Sequence, residues 1–214
     1  MKKIGCVLIT VMILISGMLT GCTSSVPFST SDVATAARLN GILELSAGTT
    51  AKTAIDTLTS INKPSGYYIF KSKEDAQKLY NDYLNRNAWY PKANINEMIA
   101  VASKEPIGEA VYRTDCCLFF FSGQLEAKSY YDTYVSGLES KHTNKTGYKN
   151  GYAYAITYSL SANRNGNCDW MKGVYLKGNS ILVISGFSPI DGPDTFSDVI
   201  YKQLGLADPA TLKK

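Results

Sequence analysis

Hydrophobic positions fall first in a block and only later in a rhythm. Residues 4–19 are apolar apart from Gly5, Thr10, Ser16 and Gly17, with Lys2 and Lys3 in front. A helix crossing the hydrocarbon core needs about 20 apolar residues, and this run is shorter. Its densest part, residues 7–15, has the length of the apolar region of an export signal, which a basic start precedes and small residues follow. Next comes a Ser- and Thr-rich stretch containing Pro27, and then an Ala- and Thr-rich one over residues 31–59. The spacing there predicts two short helices, near 32–45 and 50–58, parted by Ala47-Gly48-Thr49. Asn62-Lys63-Pro64-Ser65-Gly66 is a break.

From residue 67 the pattern alternates between strand and helix periods. Tyr67-Tyr68-Ile69-Phe70 is β-rich, Ser72 is a candidate N-cap with Glu74 and Asp75 in the first turn, and Ala76, Leu79, Tyr80, Tyr83 and Leu84 follow at helical spacing. The same sequence of patterns returns 51 residues later. Leu118-Phe119-Phe120-Phe121 is followed by Ala127, Tyr130, Tyr131, Tyr134 and Val135, with Phe70, Ala76, Tyr80 and Tyr83 matched by Phe121, Ala127, Tyr131 and Tyr134. A strand follows each unit, at 98–103 and at 152–160. In the second, Tyr152, Tyr154, Ile156, Tyr158 and Leu160 share one face and Ala153, Ala155, Thr157 and Ser159 the other. Large residues on one face predict that these rings pack rather than form an open row. Phe119 and Phe121 are expected on opposite sides of their strand, at least one deep in the core. Strands at 170–176 and 181–186 flank the turn Lys177-Gly178-Asn179-Ser180, and a last helix runs over 195–204 behind Asp194 or Thr195. The order β-α-β-β-α-β, then a hairpin and a helix, predicts an α+β fold: an antiparallel sheet with helices packed on it, in ferredoxin-like order.

The end of the first apolar run decides where such a domain would reside. Leu19-Thr20-Gly21-Cys22 resembles the lipobox of bacterial lipoproteins, in which a branched apolar residue and two small ones precede an obligatory cysteine. The resemblance covers only the first 22 residues. It implies removal of residues 1–21 as a signal peptide, a diacylglyceryl group on the Cys22 thiol, and acylation (palmitate among the candidates) of the new amino terminus. Residues 22–30 then form a lipidated tether, 31–63 an N-terminal helical segment and 64–214 the α+β domain. Cys6 leaves with the signal. The localisation implied is the extracytoplasmic face of a cell membrane, reached through the lipid on Cys22.

Charge changes this picture little. Loss of Lys2 and Lys3 lowers the formal charge from +4 to +2, too weak a basicity for a nucleic-acid binder. Besides Cys22, the mature chain holds Cys116, Cys117 and Cys168, so at most one internal bridge can form, from Cys116 or Cys117 to Cys168. Adjacent on a strand, Cys116 and Cys117 point to opposite faces.

Three fragments together imitate a serine acyl-enzyme: Ser60-Ile61-Asn62-Lys63, Lys145-Thr146-Gly147 and Ser161-Ala162-Asn163. That chemistry needs Ser60 and Lys63 one helical turn apart, which Pro64 disfavours, and the last two motifs occur in the wrong order. His142, the single histidine, is expected to face water just past a helix. Residues 163–169 resemble half a calcium loop, but Lys172 stands where a bidentate glutamate belongs. A hairpin turn on Asn165-Gly166 explains that stretch better, so no metal site, catalytic set or cofactor is expected. The 15 tyrosines suit both packing and ligand surfaces; the loop aromatics Tyr90 and Trp170 are the candidate ligand contacts. The reading reached is a non-catalytic binding or accessory module of the cell envelope, with a carbohydrate, peptide or protein as ligand. Its competitors are an envelope serine hydrolase using Ser60, Lys63 and Lys145, and a structural accessory of an envelope complex.

Overall fold

The computed structural model describes residues 26–45, 50–84, 90–163 and 166–213. The Leu19-Thr20-Gly21-Cys22 tetrapeptide, residues 47–49 and residues 164–165 lie outside them. The elements are α1 (Thr30–Leu39), β1 (Leu43–Glu44), α2 (Ala51–Thr59), β2 (Gly66–Phe70), α3 (Lys73–Leu79), β3 (Glu97–Ile107), β4 (Ala110–Phe120), α4 (Gln124–Ser136), β5 (Thr143–Lys149), β6 (Tyr152–Asn163), β7 (Gly166–Lys177), β8 (Ser180–Pro189) and α5 (Phe196–Gln203). A π-helical turn, Tyr80–Leu84, extends α3, and a 3₁₀ turn, Pro209–Leu212, closes the chain.

Eight strands form one sheet in the order β1-β2-β3-β4-β8-β7-β6-β5. All neighbours are antiparallel except the short parallel pair β1–β2. The α+β class holds, but the order is not ferredoxin-like. In a split β-α-β unit the strands flanking the helix are parallel with another between them. Here β2 and β3, on either side of α3, are hydrogen-bonded neighbours and antiparallel. After α4 the chain crosses to the far edge and enters β5, a strand that hydrophobic pattern misses. Its sequence, TNKTGYK, is polar and mostly exposed, as suits an edge that must not recruit another strand.

Both sheet faces are covered. One core gathers Ala54, Ile55 and Leu58 of α2, Ala76 and Leu79 of α3, and Ala127, Tyr130, Tyr131 and Tyr134 of α4 against Phe70, Cys117, Phe119 and Phe121. The other gathers Val33, Ala34, Ala36 and Ala37 of α1 and Phe196, Ile200 and Tyr201 of α5 against Tyr67, Cys116, Leu118, Tyr175 and Ile184. The repeated pattern thus has structural meaning: Phe70, Ala76 and Tyr80 lie in the same core as Phe121, Ala127 and Tyr131. Residues 31–63 are equally part of the fold, α1 on one face, α2 on the other and β1 in the sheet. The first predicted helix stops at Leu39, where Asn40 caps it and Gly41 takes φ +71°.

Strand alternation resolves several expectations. Cys116 and Cys117 face opposite cores, both buried. Phe119 and Phe121 do not face opposite sides; two positions apart they share a face, 0% and 3% exposed. Tyr152 and Ile156 are buried, Tyr154 and Tyr158 pack beside them, and only Leu160 at the end of that row is exposed. The small residues behind them admit α4 at close range, with Ala155 in its core. Cys168 pairs in register with Pro189 and Cys116 with Ile184, with β8 between their strands. The two cysteines are therefore separated by about 10 Å across the sheet and about 17 Å along it, far beyond the reach of a disulfide. Gly166, expected in the turn, instead pairs with Asn163 and belongs to β7; Asn165, its partner in the expected turn, lies outside the described residues.

Candidate functional site

The β7 face that carries Val174 into the first core also carries Trp170 and Lys172, at alternate positions. Lys172 pairs with Thr157 on one side and Ser185 on the other, well inside the sheet. It is 3% exposed. A cavity of about 170 Å³ opens beside it, walled by Tyr90, Tyr134, Glu139, His142, Asn144 and Trp170 among others. The Lys172 Nζ lies 4.1 Å from the ring centroid of Tyr90 and 4.8 Å from that of Tyr134.

Each wall is held by the element behind it. Gln77 of α3 donates to the Ala93 carbonyl and accepts from the Ile95 N–H, both at 3.0 Å. Tyr80 donates to the Pro91 carbonyl, so α3 pins the segment that presents Tyr90. Tyr134 comes from the last turns of α4. Beyond it, the Asn144 amide donates to the Glu139 carbonyl at 2.7 Å and to the His142 carbonyl at 3.1 Å, while its oxygen accepts from Thr157 at 2.6 Å. That clasp folds the loop between α4 and β5 back over the sheet. The His142 ring consequently lies 5.2 Å from that of Trp170, and its side chain is only 14% exposed. The expectation of a solvent-facing His142 fails because Asn144 closes the loop on itself.

Electrostatics make Lys172 the unusual group. Burial lowers its pKa to about 7, since a desolvated ammonium is costly. The two tyrosine rings act the other way, because their faces attract a cation. Burial also raises the hydroxyls of Tyr90 and Tyr134, and for Tyr134 a hydrogen bond with Thr157 partly offsets this. Both phenols therefore stay protonated at neutral pH. Glu139 lies 2.6 Å from Lys141 and 4.0 Å from His142, placing a carboxylate at the cavity's rim.

Tyr90 and Trp170, the two aromatics singled out as ligand contacts, line this one cavity. Lys172 and His142 complete it and were missed. A signal for Lys172 was present: along Trp170, Lys172, Val174 and Leu176 it is the one charge on an apolar face. The half-calcium reading dissolves into β6 and β7; Asp169 is buried, accepts from the Tyr158 hydroxyl at 2.7 Å and pairs with Lys213. Among the described residues no group of His, Cys, Asp or Glu is placed to hold a metal ion.

The serine-hydrolase set does not assemble. Ser60 is the C-cap of α2 in extended conformation (φ −75°, ψ 126°), so Ser60 and Lys63 do not share a helical turn. The carbonyls of Leu58 and Thr59 accept from Arg113, both at 2.7 Å, and those of Thr57 and Pro64 from Lys104 at 2.6 and 3.3 Å. These two cations stabilise a helix C-terminus. Lys145 lies exposed on β5, five strands from β3, a span of about 24 Å.

No family model matches the chain, and no curated protein does. Among solved structures, the extracellular domain of PknH from Mycobacterium tuberculosis is similar at a TM-score of 0.37 and 9% identity, over 88% of this chain and 98% of that one. At that distance it transfers neither residues nor activity.

Proposed function

We propose that the chain is an extracytoplasmic lipoprotein, anchored through lipid on Cys22, whose α+β domain binds a small ligand in the cavity beside Lys172. The lipobox resemblance supports the anchor. The observation that carries the binding reading is convergence: Tyr90 from a loop, Tyr134 from a helix, Trp170 and Lys172 from a strand and His142 from a second loop meet around one cavity. Flat apolar rings beside a few convergent polar groups are the usual composition of a small-molecule site, and they suit a sugar ring or a peptide side chain.

Two measurements test the two halves. Cys22→Ser is expected to leave an unprocessed precursor and abolish labelling by an alkyne fatty acid; normal cleavage and labelling in that variant would refute the anchor. Tryptophan fluorescence, titrated against a panel of monosaccharides, dipeptides and small polyols, is expected to change saturably with at least one of them. That response should vanish in Trp170→Phe. A flat response to the whole panel, or one indifferent to Trp170→Phe, refutes the binding site.

A further inference from the structure

We propose that Lys172 captures a small uncharged aldehyde or ketone in this cavity, forming a reversible imine at Nζ. The inference rests on the cavity being a ligand site and adds covalent chemistry to it. Its ground is placement: a primary amine set in a sheet, 3% exposed, flanked by two ring faces and bordering a cavity of about 170 Å³. That volume far exceeds the share of a single water, about 30 Å³.

The step requires no co-reactant. The Nζ lone pair attacks the carbonyl carbon, and the carbonyl π pair moves to oxygen. A proton passes from nitrogen to that oxygen, giving a carbinolamine. A second proton converts the hydroxyl to water, which leaves as the nitrogen lone pair closes the C=N bond. Nothing is oxidised or reduced, and water re-entering the site reverses the sequence. Three features of the cavity favour these events. Burial leaves a substantial share of Lys172 unprotonated, and therefore nucleophilic, at neutral pH. The faces of Tyr90 and Tyr134 stabilise the iminium cation that forms. Glu139 and His142, both lining the cavity, can carry the protons. The ring faces of Tyr90, Tyr134 and Trp170 that wall the cavity suit an uncharged carbonyl compound, since they offer a carboxylate no hydrogen-bond partner to replace its water.

The full chain in detergent, incubated with glycolaldehyde and cyanoborohydride at pH 7, tests this by peptide mass mapping. Lys172 is expected to gain the reduced hydroxyethyl group about tenfold or more faster than an exposed lysine such as Lys128, given a pKa near 7 against the usual value of about 10.4. In Lys172→Arg that fast label should vanish while the other lysines react as before. Label spread over surface lysines with Lys172 unmodified, or modified no faster than they are, overturns the inference. The rate's dependence on glycolaldehyde separates the two readings. Saturation that persists when cyanoborohydride is raised until the rate no longer depends on it shows a complex in the cavity before condensation; fast but strictly linear labelling under that condition retains the imine and removes the binding site. A saturable polyol response with no fast label at Lys172 does the opposite.

Discussion

Lys172 stores a cost that the fold bears and a variant can release. In the unfolded chain its amine keeps the proton up to about pH 10.4, whereas in the fold it gives it up near pH 7. Between those values the unfolded state binds more protons, so stability rises with pH across this window, and at or below pH 7 the full cost is present. Lys172→Met is therefore expected to stabilise the protein by roughly 1–3 kcal/mol at pH 6, allowing for the opposing pull of the two rings at about 1.4 kcal/mol per pKa unit. The gain should shrink towards pH 9.5. Urea titrations of both proteins at the two pH values measure the difference. An equal gain at both would mean that Lys172 titrates as an ordinary lysine.

At the scale of elements, α2 shows how distant residues complete a short helix. Its N-terminus is capped locally, the Thr50 hydroxyl accepting from the Thr53 N–H at 3.2 Å. Its C-terminal carbonyls are instead satisfied from the sheet, by Arg113 of β4 and Lys104 of β3. Burial first, and then the charge of Arg113, lower Lys104 to about pKa 8. Arg113→Ala would leave the Leu58 and Thr59 carbonyls without these donors and is expected to cost about 1–3 kcal/mol. Two-dimensional NMR should show Lys104 titrating at a higher pH in that variant. An unchanged unfolding midpoint together with an unchanged Lys104 would show that the cap contributes nothing. The same construction explains why Ser60 and Lys63 look like a motif in sequence and are not one in space: the helix ends where the motif would need it to continue.

For the molecule as a whole, Phe28 is where the segment before α1 joins the domain, and under the proposed anchor this join would set the domain's relation to a membrane. The Phe28 N–H donates to Ser180 Oγ at 3.0 Å, its ring lies 6.0 Å from that of Tyr152, and Lys177 Nζ stands 5.6 Å above it. From Cys22 to Phe28 the chain can reach about 20 Å at full extension. With a lipid on Cys22, the β7–β8 turn is thus held close to the bilayer. The Lys172 cavity lies towards the opposite ends of the strands, where α4 finishes and β5 begins. Phe28→Ala is expected to speed cleavage of the N-terminal segment in limited proteolysis severalfold without altering the rest of the digest. An unchanged rate would place the clamp elsewhere.

What the sequence by itself determined was local. The N-cap at Ser72, the helix start at Thr195, the Gly178-Asn179 turn, the opposed Cys116 and Cys117 and the packed face of β6 all follow from neighbouring residues. Tyr90 and Trp170 also stood out in the sequence as large aromatics, but Trp170 lies within β7, paired with Ser159 and Phe187, and not in the loop expected of it. Only the tertiary structure decided the rest. Strand order depends on which edges meet, and nothing in one strand's pattern names its partner. The polar edge strand β5 carries no hydrophobic signal at all. The site, too, is a product of the fold: Lys172 shows in sequence only as one charge on an apolar strand face and His142 looks ordinary, and they become a buried amine and a cavity wall only when β7 enters the sheet and Asn144 folds the loop back over it. Desolvation is a property of everything that surrounds a group, so the chemistry of Lys172 could not be read from its neighbours along the chain.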